Sequence, residues 1–492
     1  MGTFLWRYYM KFKTKDEVHN KALKIEGIKQ KDLKKQLGIK IKGDKNAMGD
    51  IFESWFGKVK DSASKPDLDV SELKATPFKI LKNGKVSAKE RLVLNIINYV
   101  ELDKENFFNS HFMNKNKVIE MAFYEYKRNV NKDEWFFNKC VTYEMEKDKN
   151  DLEIIKNDWK KIQSFIRKGK AEDLSERETN YLAACTKGKN KKSLRIQPNS
   201  KEMAKQRAFS FKTSFMTTLL RNYIFGNKKS DAIVKDASEL ENKSLEEIIY
   251  NKFSKYLNKT TKELIDILNI PKKNSNTIGK YNVQIVNKIL GIRGKQKTNA
   301  DEFEKASIVP KTIQFDSKKR NKESMSLPPF KFKDLINEKW IDEDGNPSAT
   351  LNVYLSESKF LFVVFQMDSN GNNYLRGIKF FKMPSKDLNG KVKDAWKNTI
   401  QTINNGVKLE FINQSKNGIV HNNFIGAKSQ KIIHVRPHTA NRSYVKSENS
   451  NELPIKAQWT NKPKDFSNYF MTTQSFWLNS NYIKNATKNL LE

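Results

Sequence analysis

The chain has 492 residues, more than one hydrophobic core usually organises, so two or more domains are expected. Lysine and arginine total 92 against 57 acidic residues, and the net charge of +35 predicts a polyanionic partner, with DNA or RNA ahead of an acidic membrane. No stretch of roughly 18 apolar residues exists, and Arg7 and Lys11 interrupt the start of the chain, so neither a membrane span nor a signal peptide is predicted. The two cysteines, Cys140 and Cys185, indicate neither a disulfide scaffold nor a zinc site, which fits a reducing cytoplasm.

Apolar residues at helical spacing mark the start of the chain, in the segments DEVHNKAL, KDLKKQLGI and NAMGDIFESWFG. Strands are predicted next, from about Glu72 in SELKATPFKIL and then in KERLVLNIINYV and KVIEMAFYEYK. A helix follows in LEIIKNDWKKIQSFIRKG, then a lysine-rich loop, and then AFSFKTSFMTTLLRNYIFG, which begins as a strand and ends as a helix. This order predicts a mixed α/β (α+β) domain with a small central sheet.

After a charged, mainly helical region at residues 225–300 the same order of elements restarts, which indicates an internal repeat. Lys74 and Lys311 are separated by the same number of residues as Trp159 and Trp396. Five short matches keep one order: QKDLKKQLGI with TKELIDILNI, DIFESWFG with QIVNKILG, LKATPF with PKTIQF, NDWKKIQSFI with DAWKNTIQTI, and TSFMTTLLRNYI with TQSFWLNSNYI. Because five matches in one order with a slowly drifting offset are hard to obtain by chance, we predict two copies of one domain.

A charged cluster in the first copy is a candidate for catalysis. Asp67 and Glu72 bracket a turn and the start of a strand, and Lys74 leaves the same face of that strand as Glu72. Two carboxylates can hold Mg²⁺, and a lysine beside them can orient a water for phosphodiester hydrolysis. Glu53, on the preceding helix, is a third candidate carboxylate. The alternative is a solvated turn before an edge strand, which is the commoner reason for such a pattern when it occurs alone.

The second copy helps to decide between a catalytic cluster and a solvated turn. It keeps the lysine, as Lys311, but has Val309 where the first copy has Glu72, and Asn287 where it has Glu53. A strand that needed the glutamate for folding would not usually accept valine in the same fold. The pattern therefore favours one active and one inactive copy.

Several segments, ESWFG, DSASKPD, ELKATPF and KERLVLNIINY, resemble in this order the Sau-type GATC-cutting restriction endonucleases, relatives of the mismatch-repair nicking enzyme MutH. The resemblance continues through DWKKI, GKAEDLSE, YLAACTKG and QRAFSFKTSFMTTLLR to HVRPHTANR, and so covers most of the chain. It implies the restriction-endonuclease α/β core, Mg²⁺ as the cofactor, GATC as the sequence read, and a second MutH-like domain that binds a further GATC site without cutting.

The same resemblance implies roles for individual residues. The catalytic set is Asp67, Glu72 and Lys74, with Asp67 and Glu72 as metal ligands, Glu53 as an additional carboxylate and Lys117 as a further active-site lysine. Lys115 stands beside Lys117, which leaves that assignment open. Asp69 is not excluded as a ligand, because the spacing from Asp67 to Glu72 is shorter than in the MutH pattern.

A basic loop is implied to read DNA in both copies, since basic side chains suit the acceptors of guanine. Lys187 matches a DNA-reading lysine of MutH, whereas the arginine of that loop is Cys185 in the first copy and Arg436 in the second. Ser210 stands where MutH has a tyrosine near the adenine, so the response to methylation stays open. The residues predicted to bind DNA are Lys187, Lys189, Arg207, Ser210, Arg436, His438 and Arg442.

The sequence thus predicts a type II restriction endonuclease that hydrolyses double-stranded DNA at GATC. The predicted domains are residues 1–225 (catalytic), 226–300 (helical connection and start of the second copy) and 301–492 (inactive, DNA-binding), and two restriction-endonuclease-like domains together form a pseudo-dimer. Because one copy lacks the carboxylates, DNA-dependent self-association is expected. The alternatives are a MutH-like nickase, a non-catalytic DNA-binding protein and, with little beyond charge in its favour, an RNA-binding protein.

Overall fold

The computed structural model describes residues 11–40, 46–58, 65–81, 84–127, 130–188, 193–226, 231–272, 277–293, 298–321, 323–342, 345–414, 418–429 and 431–491. The chain divides into two compact units. Unit 1 comprises Met1–Ile248 and Asn299–Ile308, and unit 2 comprises Ile249–Thr298 and Val309–Glu492. In the described part of the chain no helix is both long enough and apolar enough to cross a membrane.

Helices and strands alternate along both units. The α-helices are α1 (Lys15–Leu23), α2 (Gln30–Leu37), α3 (Ala47–Trp55), α4 (Tyr99–Leu102), α5 (His111–Asn116), α6 (Lys149–Arg167), α7 (Thr213–Phe225), α8 (Leu245–Ser254), α9 (Thr261–Ile267), α10 (Ile278–Leu290), α11 (Asp301–Ala306), α12 (Phe332–Leu335), α13 (Thr350–Glu357), α14 (Ser385–Asp387), α15 (Lys393–Asn404) and α16 (Ser480–Thr487). The strands are β1 (Glu72–Ile80), β2 (Val86–Ala88), β3 (Leu92–Ile96), β4 (Val118–Glu125), β5 (Phe137–Glu144), β6 (Leu182–Thr186), β7 (Leu194–Arg195), β8 (Ala204–Lys205), β9 (Arg207–Phe211), β10 (Ile308–Phe315), β11 (Met325–Phe330), β12 (Lys359–Met367), β13 (Asn373–Phe381), β14 (Lys408–Ile412), β15 (Ile419–Asn422), β16 (Ile433–Pro437), β17 (Ser450–Glu452), β18 (Gln458–Thr460), β19 (Phe470–Thr472) and β20 (Gln474–Leu478).

Unit 1 is built on a mixed sheet in the order β2-β1-β4-β5, in which β1 and β4 are parallel and the other pairs are antiparallel. Helices α1, α2 and α3 cover one face, where Val18, Ile51, Phe52 and Leu73 are buried in a common core. Because side chains alternate along a strand, Glu72 and Lys74 leave the face opposite Leu73. A second, antiparallel sheet has the order β3-β9-β6.

Unit 2 repeats this connectivity. Its sheet β10-β12-β13 corresponds to β1-β4-β5, and its sheet β11-β20-β16 corresponds to β3-β9-β6. Helices α9, α10 and α15 take the places of α2, α3 and α6 in the order of elements. Trp159 in α6 and Trp396 in α15 are both buried, as expected of core residues at a shared position. Four of the five sequence matches therefore fall on corresponding elements.

The fifth match, between TSFMTTLLRNYI and TQSFWLNSNYI, is wrong. Phe215 lies in α7, whereas Phe476, its predicted counterpart, lies in β20. The strand registers align the units differently: Phe209 pairs with Ala184 in the β6–β9 ladder, and Phe476 pairs with Val435 in the β16–β20 ladder. The sequence match failed because Ser-Phe occurs both in β20 and after the corresponding strand of unit 1.

The boundaries of the compact units differ from the predicted domain boundaries at residues 225 and 300: they lie after Ile248, Thr298 and Ile308. Residues 299–308 belong to unit 1, because the carboxylate of Glu302 accepts hydrogen bonds from the backbone N–H groups of Ile233 and Val234 at 2.9–3.0 Å. The ammonium of Lys305 also lies 2.7 Å from Asp151 in α6, and both side chains are buried. Of the region predicted as a helical connection and the start of the second copy, residues up to Ile248 belong to unit 1, and α9 and α10 belong to unit 2.

Candidate active site

The turn before β1 brings two carboxylates together. The chain reverses at Asp69, whose φ of 57° lies in the left-handed region that Asp tolerates better than most residues. Asp67 Oδ2 accepts a hydrogen bond from the backbone N–H of Leu73 at 3.1 Å, and the backbone N–H of Asp67 donates to Glu72 Oε2 at 3.2 Å. The turn therefore fixes both carboxylates, while Asp69 itself is exposed and does not line the cavity described below.

Glu72 is the most deeply buried group of the cluster, with 1% of its surface exposed. Lys74, two residues further along β1, places its Nζ 2.7 Å from Glu72 Oε1. Burial raises the pKa of Glu72; the charge of Lys74 opposes this shift, and the negative charge of Asp67 adds to it. The carboxylate thus depends on nearby cations to stay ionised.

A second lysine meets the same carboxylate, and it is Lys115 rather than Lys117. Lys115 Nζ lies 3.5 Å from Glu72 Oε2 and donates to the backbone carbonyl of Lys65 at 3.1 Å. Lys117 is exposed just after the end of α5 and does not line the cavity. Residues two apart on a helix point to nearly opposite sides, so only one of the two lysines can face Glu72. The structure therefore corrects the assignment of Lys117 to the cluster.

The cluster opens into a cavity of about 480 Å³. Glu53 on α3 lines this cavity together with Asp67, Glu72, Lys74 and Lys115, so the residues predicted as catalytic meet in one place, apart from Lys117. A further lysine, Lys58, was missed by sequence reasoning. It lies just after α3 with 6% of its side chain exposed, and its Nζ is 3.6 Å from Asp67 Oδ1.

A histidine and a glutamate also line the cavity and were not foreseen. His111 Nδ1 and the backbone N–H of His111 both contact Glu105 Oε1. The hydrogen bond to Glu105 raises the pKa of His111. The motif ENFFNSH holds the only available signal, a carboxylate six residues before a histidine, and that spacing has no regular meaning until the short helix before α5 folds.

The donor set fits a hard divalent cation. Asp67 and Glu72 present carboxylate oxygens to an open cavity, and oxygen is the ligand that Mg²⁺ prefers. In the described residues no group of three His, Cys, Asp or Glu side chains is gathered as a metal site. Lysines contact each of the two predicted metal ligands: Lys58 lies beside Asp67, and Lys74 and Lys115 lie beside Glu72.

The DNA-binding residues predicted in unit 1 occupy different environments. Lys187, next to the end of β6, is exposed, while Lys189 lies outside the described residues. Arg207 is only 7% exposed and its guanidinium donates to the backbone carbonyl of Ala184 at 2.9 Å. Ser210 is completely buried. These placements correct the predictions for Arg207 and Ser210, because buried side chains in a strand support the sheet and do not reach a DNA surface.

The predicted residues of unit 2 are accessible. Arg436, His438 and Arg442 are all exposed. The guanidinium of Arg436 stacks 4.6 Å above the ring of Trp477, which limits its rotation. Cys185 pairs with Ala208 in the β6–β9 ladder and Arg436 pairs with Ser475 in the β16–β20 ladder, so both residues lie on a strand that pairs with the central strand of its sheet.

Comparisons with known proteins find relatives of the first half of the chain. The family described as "DNA mismatch repair enzyme MutH" matches residues 56–158, which hold Asp67, Glu72, Lys74 and Lys115. The DNA mismatch repair protein MutH of Shewanella baltica OS155 is 27% identical over 222 residues, or 43% of this chain and 95% of that protein. MutH of Shewanella woodyi is 23% identical over 215 residues, or 42% of this chain and 91% of that protein.

One relative matches both units. The type II restriction enzyme Sau3AI of Staphylococcus aureus is 47% identical over 490 residues, which is 97% of this chain and 99% of that enzyme. Identity at this level, sustained along nearly the whole length of both proteins, shows that they share a fold. The chain therefore belongs to the family of the type II restriction enzyme Sau3AI.

Proposed function

We propose that the protein is a Mg²⁺-dependent type II restriction endonuclease that hydrolyses double-stranded DNA at GATC with unit 1. The observation that carries this proposal is the buried Glu72, held beside Asp67 and contacted by Lys74 and Lys115 at the wall of an open cavity. The net charge of +35 supports a DNA substrate, since Lys and Arg release the counterions of the phosphate backbone. The Sau3AI and MutH relatives support a nuclease of this kind.

Each residue of the cluster has a chemical role in this proposal. Lys74 hydrogen-bonds the attacking water and lowers the cost of forming its hydroxide, while Lys115 faces the charge that develops on the scissile phosphate. Lys58 holds Asp67 in place from the other side. The hydrogen bond from the backbone of Leu73 to Asp67 keeps one oxygen of that carboxylate occupied and so orients the other.

Asp67 and Glu72 would hold the Mg²⁺, with Glu53 lining the same cavity. The bound cation would supply Lewis-acid stabilisation of negative charge at the phosphate. The same Glu72 carboxylate also pairs with the ammonium groups of Lys74 and Lys115, which balance its negative charge when no cation is bound.

Unit 2 is proposed to bind a further GATC site without cutting it. It shares the sheet connectivity of unit 1 but has Val309 where β1 has Glu72. The exposed Arg436, stacked on Trp477, is suited to read guanine in the major groove. Because one chain has one set of catalytic carboxylates, cleavage of both strands of a palindromic site is proposed to need two chains that pair on the DNA.

The test compares two unmethylated supercoiled plasmids that differ only in having one GATC site or two, in the presence of Mg²⁺. Linear product, formed faster with two sites, is expected of an endonuclease whose second unit engages a further site. Nicked product alone would favour a MutH-like nickase, and binding without cleavage would reject the nuclease altogether. Glu72→Gln, which keeps the size of the side chain, should abolish cleavage and leave DNA binding in place.

A further inference from the structure

The lysine that unit 2 shares with the catalytic unit has lost its carboxylate. Lys74 lies 2.7 Å from Glu72, but the residue two positions before Lys311 is Val309, which packs against the core of unit 2. Within the described residues Lys311 forms no ion pair, and burial lowers its pKa. An ammonium that is partly withdrawn from water without a counterion costs free energy, which a bound anion would recover.

The strand pattern places Lys311 where Lys74 stands in unit 1. Residues alternate across a strand, so Val309, Lys311, Ile313 and Phe315 share one face of β10. Ile313 and Phe315 are buried in the core, and Lys311 is at the less buried end of this face. The aliphatic part of the Lys311 side chain is therefore packed against its neighbours, and its ammonium group has less freedom to move than that of a lysine on a solvated loop.

Two polar groups of β16 and the residues after it belong to the same unit as Lys311. His438, one residue beyond β16, is close enough for the charge of Lys311 to contribute to the lowering of its pKa, after the larger effect of burial. The ring of His438 is fixed by a contact of 3.1 Å between Nδ1 and Ser475 Oγ. Arg436, two residues earlier on β16, is exposed and stacked on Trp477.

We propose that Lys311 binds a backbone phosphate of the DNA held by unit 2, so that the position of the lost catalytic centre has become a phosphate-binding site. This inference rests on the proposed role of unit 2. The site takes a phosphodiester because it combines a directed ammonium with neighbouring donors and has no paired acid beside the lysine. In this arrangement Arg436 reads bases while Lys311 fixes the backbone, the usual division between specifying and positioning contacts.

The test uses the full chain carrying Glu72→Gln and a short fluorescent duplex with one GATC site, titrated by anisotropy at several salt concentrations. Two duplexes per chain are expected, and Arg436→Ala identifies the one held by unit 2. Lys311→Met, which keeps an unbranched apolar stem, should weaken that duplex about fivefold to tenfold and reduce the salt slope by about one. Val309→Glu, which returns a carboxylate to the lysine, should weaken the same duplex.

Two controls separate this effect from misfolding and from general charge. Lys386→Met removes an exposed lysine of unit 2 and should leave both affinities unchanged. Val309→Leu alters the same position without adding charge and should bind like the parent. The proposal would be overturned if Lys311→Met left duplex binding unchanged while the parent bound inorganic phosphate at this site, because the site would then serve free phosphate.

The remaining outcomes distinguish the inference from the function on which it rests. If Arg436→Ala weakens the second duplex and Lys311→Met does not, the phosphate contact is refuted and the role of unit 2 stands. If only one duplex binds per chain and neither variant changes it, the proposed role of unit 2 fails and the phosphate contact fails with it.

Discussion

Replacing Lys115 tests which lysine belongs to the active site, because the sequence resemblance indicated Lys117 and the structure indicates Lys115. Lys115 Nζ lies 3.5 Å from Glu72 Oε2, whereas Lys117 is exposed and does not line the cavity. Lys115→Ala should therefore impair cleavage severely, and Lys117→Ala should leave it within about threefold of the parent. The two lysines are separated by a single residue, so the pair is a matched comparison of position at equal charge.

The size of the effect follows from the geometry. At 3.5 Å and an effective dielectric constant of about 20, the attraction between Lys115 and Glu72 amounts to about 5 kcal/mol. This attraction holds Lys115 at the cavity, where it is proposed to face the charge that develops on the phosphate, and losing one such group is expected to cost about 3–4 kcal/mol of transition-state stabilisation. This corresponds to a fall of about 10²- to 10³-fold in kcat.

Single-turnover cleavage of a saturating one-site duplex measures this change without interference from product release. The pH profile adds a second readout, because Lys115 lowers the pKa of Glu72 and its removal should move the acidic limb of the profile to higher pH. Lys115→Arg should restore part of the rate. A smaller loss from Lys115→Ala than from Lys117→Ala would refute the reasoning, as would an unchanged acidic limb.

Three further changes test features that support the site. Lys305→Met leaves the buried Asp151 carboxylate without its partner and should lower the stability of the protein by about 3–5 kcal/mol in chemical denaturation, while Lys305→Met combined with Asp151→Asn should recover most of it. Burial raises the pKa of Glu120 above 4.5, so the folded protein holds a proton there that the unfolded chain releases, and stability is lost as pH rises through the folded pKa. Thermal melts at several pH values should show Glu120→Gln gaining on the parent as pH rises, and a parallel pair of curves would contradict this. Arg207→Lys should lower stability by about 1–3 kcal/mol through its lost bond to a backbone carbonyl. The salt dependence of DNA binding should not change, and a slope reduced by about one would return Arg207 to the DNA interface.

Local patterns in the sequence were sufficient for several features. The strand from Glu72 begins where the Pro-Asp turn and alternating apolar residues predict, and the helices at DEVHNKAL and LEIIKNDWKKIQSFIRKG are α1 and α6. Asp67, Glu72 and Lys74 could be selected because a turn and a strand fix their relative positions over a few residues. The correspondence of Val309 with Glu72 uses only the order of residues along one strand, and it stays a prediction.

Contacts between distant segments could not be read in this way. Choosing Lys115 over Lys117 depends on where α5 ends and on which side of that helix faces Glu72, and neither follows from two lysines in NKNK. The burial of Arg207 likewise depends on the pairing of β6 with β9. Residues 299–308 belong to unit 1 because Lys305 contacts Asp151, 154 residues earlier in the chain. The sequence by itself determined the elements, the repeat and the chemical types in the cluster, because these rest on short-range geometry. Only the tertiary structure decided which cations surround Glu72 and which basic residues reach the surface, because burial is a property of packed neighbours rather than of residue type.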